Sequence, residues 1–323
     1  MTQAIQATAD GVLPKADTPT MYFIGVTTGQ SSIMRVFPAW ARRLDISERI
    51  VGIDCRPHDD PAVYRRVVSF IKSDPLSLGA LVTTHKIDLL AAARDLFDAL
   101  DRYAELMGEV SSISKQDGRL AGHAKDLITS GLSLAAFLPE DHWKRTGAEV
   151  FCLGAGGSAI AVTCHVMEQC LADNRPSKLI VANRSTPRLE QMKRIHQKLN
   201  PGIPVAYHHC PDPRQRDAIV NGLKPGSLVI NATGLGKDAP GSPLTDGANF
   251  PQRGYVWDFN YRGDLLFLKQ ARAQQQVRNL TIEDGWVYFL HGWTRVIAEV
   301  FHIDIPTSGP EFDVLSAMAA KVR

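Results

Sequence analysis

The chain has no apolar run near the ~20 residues that a membrane span needs, so no bilayer-crossing segment is expected. It has only five cysteines (Cys55, Cys152, Cys164, Cys170 and Cys210), and no two of them form a C-x-x-C pair. Most lie in apolar runs, which fits buried thiols in a reducing compartment. Neither sign of charge dominates: 36 Lys and Arg face 34 Asp and Glu, for a net +2. With no long basic tract either, nothing points to nucleic acid or an anionic membrane as partner. Met1-Thr2-Gln3-Ala4-Ile5-Gln6 lacks both the basic start and the apolar centre of a secretory signal. A cytoplasmic protein is the expectation. No repeat and no low-complexity tract appears, and 44% hydrophobic with 22% charged residues suits a globular enzyme. At 323 residues the chain exceeds what one core usually holds, so two domains are expected.

What is present is a glycine-rich stretch, Gly154-Ala155-Gly156-Gly157-Ser158-Ala159. The apolar run Glu149 to Leu153 before it has strand length, and Ile160 to Met167 after it suits a packed helix. Strand, glycine turn and helix in that order open a dinucleotide-binding fold. Gly154 permits the sharp turn, Gly156 leaves room for a pyrophosphate, and Ala159 is the small residue that close helix–strand packing needs. The helix start would hold the phosphates with free N–H groups and the positive end of its dipole.

Lys178 to Ala182 reads as the next strand, ending at Asn183-Arg184-Ser185-Thr186-Pro187-Arg188. An NAD site usually has an acid at this end to accept from the ribose 2′-OH. Asn183 stands there instead, with Arg184, Arg188 and the hydroxyl of Ser185 close by. Guanidiniums pair bidentately with phosphate, so the segment reads as a site for NADP. The alternative is a solvated loop with ordinary surface arginines.

In chain order, residues 1–20 are polar and unpatterned, and a loose arm is expected. Met21 to Val26, Ile50 to Cys55 and Gly79 to Thr84 read as strands. Arg35 to Leu44 and Tyr64 to Lys72 read as helices, and a Leu/Ala-rich helix follows His85-Lys86 as far as Leu100. This rhythm predicts a small parallel α/β unit. Short extended pieces over Leu106–Ser114 and Arg119–Gly122 flank an Asp117-Gly118 turn. A helix opening at Asp126 ends at Leu138-Pro139, where the domain crossing is expected. Ser227 to Gly234 and Tyr255 to Tyr261 add buried strands to a doubly wound sheet. From Gly285 the chain becomes an aromatic-rich helix.

These pieces together resemble the shikimate/quinate dehydrogenase family, from about Tyr22 to Ile305. The resemblance rests on the GAGGSA loop, the NRSTPR segment, Asn231-Ala232-Thr233 and Asp258-x-x-Tyr261. It implies an α/β fold with an N-terminal substrate-binding domain (21–138) and a Rossmann-type NADP domain (139–284), the active site in the cleft between them. Residues 285–323 would then form a helical segment returning to the first domain. Gly79-Ala80-Leu81-Val82-Thr83-Thr84-His85-Lys86 matches the strand that delivers the family's lysine, and Gly122-His123-Ala124-Lys125-Asp126 the segment that delivers its aspartate. The catalytic pair implied is Lys86 and Asp126. Lys86 would supply charge and a proton to a developing alkoxide, and Asp126 would orient the ammonium and accept from a substrate hydroxyl. A structural salt bridge is the alternative.

The cofactor contacts implied are Gly154, Ala155, Gly156, Gly157, Ser158, Ala159, Asn183, Arg184, Ser185, Arg188, Asn231, Ala232, Thr233 and Tyr261. For the substrate they are Ser31, Ser32, Thr83, Ser111, Lys125, Tyr288 and His291. Two of these rest on an open alignment: the second carboxylate-binding serine falls on Ser32 or Ile33, and a late substrate-touching glutamine on Leu290 or His291. Where the family has asparagines this chain has Leu81, Ser111 and Ala124, and Lys125 replaces a threonine. His85 and His123 flank the pair and could tune it or bind substrate, or be merely solvated. His208-His209-Cys210 does not make a metal site, because adjacent residues of a strand point apart, and no metal is expected.

The function implied is an NADP-dependent interconversion of a secondary alcohol and a ketone on a small hydroxylated carboxylic acid or cyclic polyol. A true shikimate or quinate dehydrogenase with a divergent pocket, and a catalytically weak NADP-binding sensor, are the alternatives. Monomer and homodimer both stay open.

Overall fold

The computed structural model describes residues 4–169, 173–199, 202–237 and 239–322, and Cys170 lies outside the described residues. The chain divides into two compact units, Met1–Lys125 with Leu290–Arg323, and Asp126–Phe289.

The first unit contains β1 (Ile5–Gln6), β2 (Thr20–Gly25), α1 (Ile33–Arg43), β3 (Arg49–Asp54), α2 (Pro61–Ser73) and β4 (Ser77–Val82). It continues through α3 (Lys86–Ala93), β5 (Ala99–Leu100), α4 (Arg102–Met107), β6 (Ser112–Gln116) and β7 (Arg119–His123). The strands form one sheet in the order β1-β3-β2-β4-β6-β7-β5. All six residues of β2 are buried, as a strand covered on both faces requires. Helix α1 buries Ile33, Val36, Phe37 and Trp40, a single stripe at helical spacing. Helix α2 starts where Asp60 accepts from the Ala62 amide and Pro61 takes the first position.

Three expectations for this unit are corrected. The sheet is mixed: β1 to β4 run parallel, but β6 is antiparallel to both β4 and β7. Asp117 and Gly118 make the hairpin turn with φ of 52° and 76°, the left-handed pair that a tight hairpin favours. The helix expected to reach Leu100 stops at Ala93, and Arg102–Met107 is helical because Asp101 caps its start and left-handed Gly108 closes it. The arm over 1–20 is tied down where described. Ile5 and Gln6 pair with β3, the Ala7 amide donates to Asp54 O, and the Ala16 amide donates to Asp74 Oδ2.

The second unit contains α5 (Asp126–Ala135), α6 (His142–Thr146), β8 (Val150–Leu153), α7 (Gly157–Gln169), β9 (Leu179–Asn183) and α8 (Thr186–His196). Then come β10 (Val205–His209), α9 (Pro213–Asn221), β11 (Leu228–Asn231), β12 (Tyr255–Asp258), α10 (Leu266–Arg278) and β13 (Thr281–Glu283). Its sheet is parallel throughout, in the order β10-β9-β8-β11-β12-β13. β8 and β11 at its centre are buried at every position. Phe151, Val229, Val256 and Phe267 belong to the core on one side. The crossing expected at Leu138-Pro139 differs from the observed division because α5 packs along α7.

Two helices complete the chain, α11 (Trp286–Phe301) and α12 (Pro310–Ala320). Within the first unit Trp293 meets Phe23 edge-on at 5.0 Å, and Trp40 Nε1 donates to Leu315 O at 2.8 Å. Among the described residues no helix is long and apolar enough to cross a membrane.

Candidate functional site

In the second unit, parallel pairing aligns the C-terminal ends of five strands along one edge. Leu153 lies opposite Ala182 and Asn231, Asn231 opposite Asp258, and His209 opposite Asn183. The Gly154 loop, the Asn183 to Arg188 segment, the 231–233 segment and the turn to Tyr261 all leave from that edge. It is the edge at which open α/β sheets bind ligands. Gly154 has φ of 116°, and a Cβ there would lie 2.8 Å from Ala232 O, so the loop needs glycine. Gly156 is exposed, with nothing within 4 Å of where a Cβ would stand. Ala155 and Ala159 are buried beneath, and Gly157 and Ser158 open α7, whose first-turn amides have no intrahelical partner. A backbone cradle open at Gly156 and backed by a helix start fits a pyrophosphate.

Beside it, Asn183 Nδ2 donates to Ser185 O at 3.3 Å, Arg188 Nη1 donates to Gln191 Oε1 at 3.2 Å, and Arg184 is exposed. Two neighbours were missed. His209 Nε2 lies 3.1 Å from Arg184 O, and the buried Arg216 donates to Pro243 O and Cys210 O. Burial, and to a lesser extent the charge of Arg184, pulls the Arg216 pKa down. Strand pairing places His209, and no sequence signal marks Arg216. At the other end of the edge, Asn231 Oδ1 accepts from the Thr233 amide at 3.1 Å and the Thr233 hydroxyl at 2.6 Å. Tyr261 packs against Trp286 and Phe289, with ring centroids 5.5 and 5.0 Å away.

In the first unit another edge gathers most of the residues expected at the substrate. β2 leads into the turn carrying Ser31 and Ser32, and β4 leads through Thr83 to Lys86 at the start of α3. Ser111 enters β6 beside them, its carbonyl accepting from the Val82 amide at 2.9 Å. The Thr83 hydroxyl donates to Ile24 O at 3.2 Å. The Ser111 hydroxyl accepts from the Lys125 amide at 2.8 Å, so it holds backbone.

Lys125 changes meaning in this setting. Its Nζ pairs with Glu299 Oε2 at 2.5 Å, and the other carboxylate oxygen lies 3.3 Å from His123 Nε2. Burial alone would raise the Glu299 carboxyl, but Lys125 and His123 hold it below its ordinary value. The charge of Lys125 is therefore met within the protein. Glu299, on α11 and distant in sequence, carried no motif that would have exposed this. His123 also contacts the Ser114 hydroxyl at 2.9 Å, and His85 is buried against the Tyr64 hydroxyl at 3.1 Å, so neither is a solvated loop histidine. His291 stacks on Phe312 at 4.5 Å, and burial lowers its pKa to about 4. Tyr288 belongs to the second unit, packed on Phe259 at 4.6 Å. Asp126 is buried at the start of α5. Among the described residues no cluster of His, Cys, Asp and Glu could hold a metal ion.

No protein-family model matches the chain. A shikimate dehydrogenase (NADP⁺) of Streptococcus gordonii is 32% identical over 183 residues, covering 55% of this chain and 58% of that enzyme. The match thus spans less than two thirds of the relative. A quinate dehydrogenase from Corynebacterium glutamicum, solved with NAD, superposes with a TM-score of 0.72 over 94% of this chain and 99% of that one, at 20% identity. A 5-ketofructose reductase from a Gluconobacter strain shares the fold with a TM-score of 0.67, covering 95% and 99% at 17% identity. The chain is thus similar to a shikimate dehydrogenase over part of its length and shares the α/β fold of these two solved enzymes.

Proposed function

We propose that this chain is an NADP-dependent oxidoreductase interconverting a secondary alcohol and a ketone on a small hydroxylated carboxylic acid or cyclic polyol. The observation that carries this is the sheet edge where the open Gly154 loop stands beside Asn183, Arg184 and Arg188 with no acid at the strand end. Gly154 to Ala159 hold the pyrophosphate, Arg184 and Arg188 hold the 2′-phosphate, and Asn231 to Thr233 with Tyr261 line the rest. NADPH supplies a hydride when bound. Lys86 places a positive charge and a proton at the carbonyl oxygen, and Asp126 orients the ammonium and accepts from a substrate hydroxyl. Among the described residues, four free, buried thiols support a reducing, cytoplasmic setting.

Ser31, Ser32 and Thr83 contribute hydroxyls at the substrate edge, while Lys125 adds no net charge beside Glu299. Leu81 and Ala124 stand where the resemblance calls for asparagines. A substrate hydroxyl desolvated against either loses about 1–3 kcal/mol. Two such losses amount to roughly two to four orders of magnitude in kcat/KM. Shikimate is therefore expected not to be the best substrate. The fold itself accommodates other ketones, as the 5-ketofructose reductase shows. The test is NADP⁺ and NAD⁺ reduction over shikimate, quinate, smaller hydroxy acids and polyols. NADP⁺ reduction with at least one is expected, with shikimate below about 10⁴ M⁻¹s⁻¹ in kcat/KM. Silence across the whole panel with both nucleotides would overturn the assignment.

A further inference from the structure

Asp258, the last residue of β12, is fully buried, and all its hydrogen bonds fall on one oxygen. Oδ1 accepts from Asn231 Nδ2 at 3.1 Å, from the Asn260 amide at 2.9 Å and from Asn260 Nδ2 at 2.9 Å. Oδ2 is buried without a hydrogen-bond partner. Burial raises the carboxyl to about 7, and the three donors and Asp284 are lesser influences. An acid loaded on one side in this way works as a fixed acceptor more than as an ion.

That acceptor decides how two amides point. With Nδ2 of Asn231 committed to Asp258, its Oδ1 turns to the Thr233 amide and hydroxyl. Asn260 Nδ2 also lies 3.1 Å from Thr233 O and 3.2 Å from Leu235 O. Both backbone polar groups of Thr233 are thus held by asparagines that Asp258 orients. The carbonyl of Ala232, just before, is the atom against which Gly154 is packed. Tyr261 follows Asn260 directly.

We propose that Asp258 is a positioning residue for the dinucleotide, holding the 232–235 turn against the Gly154 loop through Asn231 and Asn260. The two loops then offer a preformed surface, and the cofactor does not have to order them on binding. This rests on the dinucleotide-binding reading above. Asparagine at 258 keeps the accepting oxygen and the volume. Alanine removes the acceptor and strands two buried donors, Asn231 Nδ2 and the Asn260 amide.

The experiment combines NADPH titration by nicotinamide fluorescence with hydrogen exchange of the 232–236 amides in the absence of nucleotide. The variants are Asp258→Asn, Asp258→Ala and Asn260→Ala, compared well below their melting temperatures. Asp258→Asn should bind NADPH within about threefold of the parent chain, and Asp258→Ala about tenfold or more weaker. Exchange at 232–236 should quicken in Asp258→Ala and stay unchanged in Asp258→Asn. Asn260→Ala should repeat the alanine result from the other side of the network, and it stands in if Asp258→Ala does not fold. Full NADPH affinity in Asp258→Ala and Asn260→Ala would overturn the proposal, as would an Asp258→Asn variant as weak as Asp258→Ala. If the parent chain binds no NADPH, the functional reading fails. The exchange data then decide by themselves, and unchanged exchange in both alanine variants overturns the positioning role.

Discussion

Arg184 stands exposed at the end of β9, in the sequence place where NAD enzymes use an acid to read the ribose. A guanidinium there gains only from a phosphate, so its value appears with one nucleotide and not the other. Losing one charge-assisted contact costs roughly 1.5–3 kcal/mol. Arg184→Ala should therefore weaken NADPH while leaving NADH nearly unchanged, as read by parallel fluorescence titrations. Equal weakening of both would remove the assignment. Lys86 asks a different question, because its proposed work lies in the transition state. Lys86→Met keeps the stem and deletes the charge, so turnover should drop on the order of a hundredfold or more. NADPH affinity should barely move. Asp126→Asn should slow turnover in the same manner, and near-normal rates in both variants would remove the catalytic assignment of the pair.

At the scale of elements, β4 is the piece on which the first unit depends, since it joins the parallel strands to the antiparallel hairpin. Gly79 makes that join possible. Its φ is 138°, and a Cβ would lie 2.1 Å from Ile113 O on β6. Gly79→Ala carries backbone strain of order 1–3 kcal/mol with a clash against backbone that cannot rotate away. A clear fall in the urea midpoint is expected, and an unchanged midpoint would show that β6 can move aside. The elements legible in sequence were those with local signatures. β2, β3 and β8 are apolar runs of strand length, α1 has its stripe, and the Gly154 loop stands between a strand and a helix. β13 and α4 were missed, being short, three and six residues long, with too few positions to show a period. The direction of β6 was missed because strand orientation is set by pairing partners. The site divides in the same way. Residues in contiguous motifs could be placed by sequence, whereas the pairing of Lys125 with Glu299 depends on α11 returning to β7 across more than half the chain.

For the molecule as a whole, stability should depend on pH through groups that burial has pushed in opposite directions. His165, His196 and His291 are each depressed to about 4, by burial first. His196 is enclosed by hydrogen bonds to Thr163 at 2.9 Å and Tyr207 at 2.7 Å. In the unfolded chain each imidazole returns to about 6.5. Their contribution is complete above that value and is lost as the pH falls towards 4, because only the unfolded chain takes up the protons. Asp258 has the opposite sign. Its folded value of about 7 exceeds the ordinary carboxyl value of 3.8, so its contribution is complete below 3.8 and fades as the pH rises to 7. The two effects overlap between about 4 and 6.5, and three depressed histidines outweigh one raised acid. His85 and His142, both lowered by burial, add to the same side. The melting temperature should therefore be nearly flat between about pH 7.5 and 8.5 and fall steadily below about 6.5. His196→Asn should make that fall shallower. Asp258→Asn should make it steeper, since the group that opposed the histidines no longer titrates. A melting temperature that rises as the pH drops from 6.5 to 5 would show that the histidines are not buried neutral in the folded chain.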